Sequence, residues 1–339
     1  MKINYSLSGL GGIGRIHAIG LRNLPLIELP IDLTVNFSTL STSHPEEKKE
    51  LAKDIGFDKV VDSFDKLLTK DVDMVDLCTP NFMHRKEIMK ALDAGKHIYC
   101  EKPLALNLGE AEEVLEAVKE TDLKNQMGFV YRFIPSVAQA HALLQNEVIG
   151  EIQFFKVEYY HSRYLNPEVG ITWRLQDETS GGGALVDLGS HMIDLTRFLL
   201  GDISKVAAWT KTFVSERKDN DGQLIEVDVD DWAMLMLDMA SGANATVEAS
   251  RVSPGNEGFR INIFGDQGSI YINSDQSEEP ILYDQTPKQV EIKPDMLAGD
   301  EFLKNVERLF PSSKLSQGLM IDLHTVDLVW FMESIAQDR

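Results

Sequence analysis

Three short segments, far apart in the chain, carry residues whose types and spacing suit one chemistry. Gly9-Leu10-Gly11-Gly12-Ile13-Gly14 can cradle a dinucleotide pyrophosphate, Glu101-Lys102-Pro103 supplies an ammonium, and Asp187-Leu188-Gly189-Ser190-His191 supplies a carboxylate and an imidazole. Side chains of these types move protons, and a nicotinamide dinucleotide exchanges hydride. In this order they point to an oxidoreductase.

Gly9, Gly11 and Gly14 fit G-x-G-x-x-G, directly after a strand predicted over Ile3–Leu7 and opening a helix predicted over 12–23. That is the context the motif requires: a tight turn, backbone close to the pyrophosphate, and helix N–H groups aimed at phosphate. Gly12 and Ile13 complete the loop. After the second predicted strand, NAD-binding chains usually place Asp or Glu to grip the ribose 2′-hydroxyl. Here the segment reads Asn36-Phe37-Ser38-Thr39-Leu40-Ser41-Thr42-Ser43-His44, with no carboxylate before Glu46. Ser41 and Thr42 can bond a 2′-phosphate without repelling it, and Lys48 or Lys49 can add positive charge. The expected cofactor is therefore NAD(P), leaning to NADP. The alternative is a polar loop indifferent to the 2′ position.

Lys102 follows the predicted strand Ile98–Cys100, and in doubly wound sheets ligands sit beyond the carboxyl ends of strands. Pro103 biases Lys102 towards extended backbone. Asp187 and His191 are four residues apart, so on one helix they share a face. The alternatives are a surface lysine, a capping aspartate and a satisfied core histidine; His17 and His84 read as helix residues packing within the first domain. No ligand cluster stands at metal spacing, so no metal is expected. Trp173-Arg174, just before Gly181-Gly182-Gly183, offers a stacking ring and a forked donor suited to a polyol. Tyr160, Arg163 and Tyr164 are further candidates for a substrate pocket.

The elements that must position these residues divide in two. With 339 residues the chain exceeds the usual single core, and strand and helix signals alternate over its first part. Further strands are predicted over Leu33–Phe37, Met74–Leu77 and Gln126–Phe129, and helices over 45–55, 82–94 and 108–121. This is a doubly wound parallel sheet. Later, β-formers recur without intervening helices over Ile152–Tyr160, Lys205–Val214, Trp232–Met239, Ala243–Arg251, Arg260–Gly265 and Ser269–Asn273. A closing helix is expected at 317–336, and Asp275–Glu279 reads as a solvated loop. The fold class is thus an α/β Rossmann domain over 1–128 and an α+β domain with a large, mostly antiparallel sheet over 129–339. A formal charge of −21 disfavours nucleic acid and anionic membranes as partners. Two cysteines in apolar runs, Cys78 and Cys100, read as reduced structural thiols. With no leader-like or membrane-length apolar segment, the expected location is cytoplasmic.

The chain resembles the glucose–fructose oxidoreductase, inositol dehydrogenase and MocA group (Gfo/Idh/MocA). The resemblance rests on Gly9-x-Gly11-x-x-Gly14-x-x-His17, Cys78-Thr79-Pro80-Asn81-x-x-His84, Glu101-Lys102-Pro103, Tyr131-Arg132-Phe133-x-Pro135 and Gly181 to Asp187-x-Gly189-x-His191-x-x-Asp194. It implies Lys102, Asp187 and His191 as the catalytic set, also touching substrate. It further implies Thr79, Pro80, Asn81, His84 and Glu101 beside the nicotinamide. The implied activity is hydride transfer at a secondary alcohol or ketone carbon of a sugar, sugar derivative or cyclitol. Which of Lys102 and His191 accepts the proton stays open. The group also includes NAD-dependent glycosidases and non-catalytic sugar-sensing regulators. It implies a homo-oligomer, a dimer or tetramer. The segment Ser41-Thr42-Ser43 is similar to that of NADP-using 1,5-anhydrofructose reductases.

Overall fold

The computed structural model describes residues 2–337. Met1, Asp338 and Arg339, the outermost residues of the two expected domains, lie outside the described residues. The chain forms two compact units, one made of residues up to Val130 together with Arg308 onward, the other of Tyr131–Glu307.

The first unit holds six parallel strands in the order β3-β2-β1-β4-β5-β6. They are β1 (Lys2–Ser8), β2 (Thr34–Ser41), β3 (Lys59–Val61), β4 (Met74–Leu77), β5 (His97–Cys100) and β6 (Asn125–Met127). Every residue of β4 is buried, as expected of a central strand covered on both faces. The covering helices are α1 (Gly12–Arg22), α2 (Pro45–Ile55), α3 (Phe64–Leu67), α4 (Asn81–Asp93) and α5 (Leu108–Lys119). Strand order reverses between β1 and β4, the point beside which such sheets take their ligands. The short β3 and α3 lie outside the expected elements: β3 has no buried residue and α3 is a single turn, so neither carries the apolar run that marks β4 and β5.

The second unit carries β7 (Ile152–Tyr160), β8 (Ile203–Lys211), a separate hairpin of β9 (Glu216–Lys218) and β10 (Leu224–Glu226), β11 (Trp232–Met239), β12 (Asn244–Ser250), β13 (Gly258–Gly265), β14 (Gly268–Asn273), β15 (Gln276–Asp284) and β16 (Gln289–Val290). Eight of these form one sheet in the order β16-β15-β14-β13-β7-β12-β11-β8, antiparallel except for the β7–β12 pair. Phe155, Val157 and Tyr159, Leu235, Val247, and Ile261 and Ile263 alternate onto one face and are buried. Helices α6 (Pro135–Gln145) and α8 (Ser190–Leu200) pack against this sheet; α7 (Asp177–Ser180) and α9 (Glu301–Leu309) complete the order. The acidic stretch expected as a solvated loop is instead the start of β15. Its Glu278 and Glu279 are exposed while Pro280 and Leu282 are buried, so charge at the exposed start of the strand masked it.

The closing helix, α10 (Leu319–Gln337), corrects the expected division, which gave 129–339 to the second domain. It packs along α1 in the first unit. A Cβ on Gly20 would lie 2.0 Å from Thr325 Oγ1, so the glycine lets the two helices approach. No local pattern tells a terminal helix which sheet it will cover. Gly20→Ala is expected to cost about 2 kcal/mol, the scale of overpacking a tight core, read as a lowered Tm. Adding Thr325→Ala should recover part of that loss.

Candidate active site

In the first unit, the β1–α1 turn has the shape of a phosphate cradle. Gly9 has φ of +93°, and a Cβ there would lie 2.8 Å from the Cys78 carbonyl oxygen. A Cβ on Gly14 would lie 2.1 Å from Gly9 O, whereas around Gly11 and Gly12 a Cβ would meet nothing within 4 Å. The turn is thus closed beneath and open above. The N-terminus of α1 has no side-chain cap, leaving its first N–H groups to an external acceptor. These residues fit a dinucleotide pyrophosphate. Ser41 O accepts from Gly9 N at 3.0 Å, so the end of β2 is tied to the loop, and Thr42 and the exposed Ser43 follow it.

The turns after β4 and β5 are joined by His84, whose Nε2 lies 2.8 Å from Thr79 O and Nδ1 2.7 Å from Pro103 O. Burial pushes this imidazole below its ordinary pKa, against the pull of the two carbonyls. His84 therefore sets Pro80 and Asn81 against the Lys102–Pro103 peptide, which is cis. Beneath them, Glu87 of α4 accepts from Ser8 Oγ at 3.1 Å and from Thr79 Oγ1 at 2.7 Å. Lys102 is half-buried and Glu101 buried.

His17 is not simply a packing residue. Its Nδ1 lies 2.8 Å from Asp76 Oδ2, which also accepts from Tyr5 Oη at 2.7 Å. Its Nε2 faces His324 Nδ1 at 2.9 Å and Glu101 Oε1 at 3.3 Å.

In the second unit, the glycine run and the carboxylate–imidazole segment are held by Asp230. Its carboxylate accepts from Gly183 N at 2.9 Å and Leu185 N at 2.8 Å, and its carbonyl accepts from Ala184 N at 2.8 Å. A Cβ on Gly183 would lie 1.9 Å from Asp230 O, so only glycine admits this backbone contact. The expected uniform helix is a π-helical stretch, Leu185–Gly189, running into α8. Such turns recur at functional sites. Asp187 lies in the π stretch and His191 in the first turn of α8. The Asp187 carboxylate lies 3.6 Å from Arg251 Nη2; its side chain is 29% exposed and that of Arg251 2%. The His191 ring stacks on Tyr131 at 4.4 Å, and Tyr131 Oη lies 2.7 Å from Tyr159 Oη. Arg132 forks onto Asp194, with Nε donating to Oδ2 at 2.8 Å and Nη2 to Oδ1.

Two substrate-pocket candidates fall elsewhere. Tyr160 points to the opposite sheet face from Tyr159, its hydroxyl 3.4 Å from Glu158 Oε2. Successive residues of a strand meet opposite faces, and Tyr159 is the one on the His191 side. Tyr164 is buried with Leu175, Val227 and Val229, its ring beside the guanidinium carbons of Arg251 at 5.3 Å and Arg217 at 5.5 Å. It backs Arg251 from within the core. Arg163 is exposed, its guanidinium 5.9 Å from the Tyr164 ring centre. Arg174 lies over the Trp173 ring at 4.2 Å, and its carbonyl accepts from Arg251 Nη1 at 3.1 Å.

Residues 3–129 match the model of the oxidoreductase family with an NAD-binding Rossmann fold, and residues 137–271 match the GFO/IDH/MocA C-terminal domain. The chain belongs to the Gfo/Idh/MocA oxidoreductase family. It is 32% identical over 293 residues to the levoglucosan dehydrogenase of Pseudarthrobacter phenanthrenivorans, covering 82% of this chain and 75% of that protein. To the scyllo-inositol 2-dehydrogenase (NAD(+)) of Bacillus subtilis it is 29% identical over 296 residues, 87% of this chain and 80% of that one. A levoglucosan dehydrogenase structure with NADH and L-sorbose superposes with a TM-score of 0.89 at 30% identity, covering 99% of this chain and 90% of that one.

Within this Gfo/Idh/MocA chain, the sequence motifs leave out Asp230, Arg251, Tyr159, Glu87 and His324, and they include Tyr131 without showing its contact with His191. Arg251 left a signal, a lone cation ending an apolar strand; the others look like ordinary core or loop positions. Among them Glu87 titrates: burial raises its carboxyl to about 7, against the hydroxyl bonds from Thr79 and Ser8. A raised carboxyl gives stability that is full below its unfolded pKa and lost as pH rises through the folded one. Between about pH 4.5 and 7, Glu87 should therefore cost the fold on the order of 3 kcal/mol. Glu87→Gln is expected to flatten that part of the Tm-against-pH curve, with its gain over wild type largest at pH 8.

Proposed function

We propose that this chain is an NAD(P)-dependent dehydrogenase or reductase acting at a secondary alcohol or ketone carbon of a sugar, sugar derivative or cyclitol. The observation that carries this reading is the Asp187 carboxylate, partly exposed and 3.6 Å from the buried guanidinium of Arg251. A group held that way is pre-organised to meet a ligand. The dinucleotide is held by Gly9, Gly11, Gly12, Ile13 and Gly14 with Ser41 and Thr42, and at its nicotinamide end by Thr79, Pro80, Asn81, His84, Glu101 and Lys102. Bound there, it supplies a hydride donor or acceptor. His191, oriented by Tyr131 and paired in function with Asp187, and Lys102 share the proton of the substrate hydroxyl as a coupled set. Trp173 and Arg174 offer a face for a polyol. Relatives named for levoglucosan and scyllo-inositol support a substrate of this class. The reading includes a cytoplasmic homo-oligomer; Trp209, Met234 and Met236 share the outer face of β8 and β11, with Trp209 53% and Met236 52% exposed.

The test is absorbance of the reduced nicotinamide across a panel of sugars, anhydrosugars and inositols. On the best substrate, Lys102→Ala and His191→Ala should each lose roughly 10²-fold or more in kcat while dinucleotide affinity stays within a few fold. Unchanged turnover in either variant removes that residue from the mechanism. Release of a cleaved sugar without net change in absorbance would instead favour a glycosidase.

The nucleotide loop supports NADP over NAD, because no carboxylate stands between the end of β2 and Glu46 to repel a 2′-phosphate. NADPH should bind at least as tightly as NADH in a fluorescence titration. Thr42→Asp should shift the preference towards NADH by like-charge repulsion. A wild type that binds NADH and ignores NADPH would overturn the assignment.

A further inference from the structure

A buried cluster of titratable groups, His17, Asp76, Glu101 and His324, includes one of the candidate nicotinamide residues, and the chemistry proposed above leaves the other three unused. His17 of α1 is fully buried, and its two ring nitrogens face different acidic groups. The Nδ1 side is settled by Asp76, because Asp76 Oδ2 accepts and His17 Nδ1 must donate. The Nε2 side meets His324 Nδ1 at 2.9 Å and Glu101 Oε1 at 3.3 Å, and those two atoms are 3.6 Å apart.

Counting protons decides the arrangement. Were His17 neutral, its Nε2 lone pair would confront the Glu101 carboxylate at 3.3 Å, a repulsive contact in a dry interior. With both nitrogens protonated, Nε2–H points to the His324 Nδ1 lone pair and lies against Glu101. His324 is then neutral with its own proton on Nε2. The charges agree. Burial opposes a charged His17, yet Asp76 and Cys78 raise it well above its ordinary value. Burial and the neighbouring His17 charge press His324 down to about 3. Glu101 is held near 2 although burial alone would raise it, because the charged His17 lies against it and Lys102 adds positive charge.

We propose that His324 is a positioning residue: by accepting from His17 Nε2 it fixes the His17 ring, which holds the Glu101 carboxylate and so the Glu101-Lys102-Pro103 turn in the form that receives the nicotinamide. This rests on the reading of Glu101 and Lys102 as nicotinamide-side residues. The wall behind the carboxylate is also set, since a Cβ on Gly128 would lie 2.6 Å from Glu101 Oε1 and 3.1 Å from Tyr99 Oη. One turn further along α10, Asp327 Oδ2 accepts from Tyr99 Oη at 2.7 Å, locking α10 in register with β5. The same three ligand atoms would also suit a metal, but 2.9 Å between two imidazole nitrogens is a hydrogen-bond separation.

The experiment compares His324→Leu, which removes the acceptor, with His324→Asn, whose amide oxygen can stand where Nδ1 does. Nitrogen-15 spectra of histidine-labelled wild type at pH 8 should show the ring assigned to His17 protonated on both nitrogens and the ring assigned to His324 neutral and protonated on Nε2 alone. The doubly protonated His17 signal should persist in both variants, because Asp76 and Glu101 remain, with its Nε2 shift displaced in the Leu variant and close to the wild-type value in the Asn variant. NADH and NADPH dissociation constants, from fluorescence, should rise about 10-fold in the Leu variant and return to within about 3-fold in the Asn variant. His324→Ala serves the same comparison if the Leu variant does not fold. Equal losses in both variants, a neutral His17 in wild type, or a stoichiometric metal in the purified protein would overturn the proposal. Unchanged affinity in a folded Leu variant would overturn it as well, with the reading of Glu101 and Lys102 intact. A wild type that binds neither dinucleotide overturns that underlying reading instead.

Discussion

The contact between His17 and Asp76 is the constraint around which the first unit is arranged. An imidazolium buried without partners would cost several kcal/mol, and the fold offsets that by giving it acidic groups on both sides. Asp76 comes from β4, and the Tyr5 hydroxyl from β1 steadies it. Glu101 closes the other side at the end of β5. Three adjacent strands thus register at one ring. That ring belongs to the helix whose N-terminus forms the phosphate cradle, so the bond also fixes the cradle above the sheet.

Once the ring is placed, much else follows. Cys78 Sγ lies 3.3 Å from His17 Nδ1, and burial holds the thiol in its protonated form. Its backbone in turn forms the floor under Gly9, which no residue with a Cβ could meet. Glu87 ties Ser8 to Thr79 on the flank of the same cradle. A buried polar network of this kind is stable only when its members are satisfied together, which accounts for the helix α10 being drawn in to supply His324 and Asp327.

The second unit solves a parallel problem with cations and backbone. Asp230 holds the start of the π stretch through three hydrogen bonds. Arg251, deeply buried, is backed by the Tyr164 ring and bonded to the Arg174 carbonyl. The Asp187 carboxylate therefore meets a fixed positive charge rather than a mobile one. His191 is likewise steadied by a stacked tyrosine whose hydroxyl is itself bonded. Both groups take their positions from residues outside their own helix.

Features that depend on neighbours along the chain are legible without a structure. The glycine spacing, the alternation of strand and helix over the first part, the run of β-formers in the second, and the lysine at a strand end are all local patterns. Periodicity and turn chemistry make them readable, and the motifs they carry placed the chain in its family. Features that depend on partners far apart in sequence emerge only once the chain is folded. His17 and His324 are separated by 307 positions, so neither could be read as half of a pair. The π turn at Asp187 has no compositional signature, and Tyr159 differs from Tyr160 only in which sheet face it meets. The side that α10 covers was equally hidden. Hydrogen-bond satisfaction and burial are properties of the assembled core, and they select partners by position in space rather than by spacing in the chain.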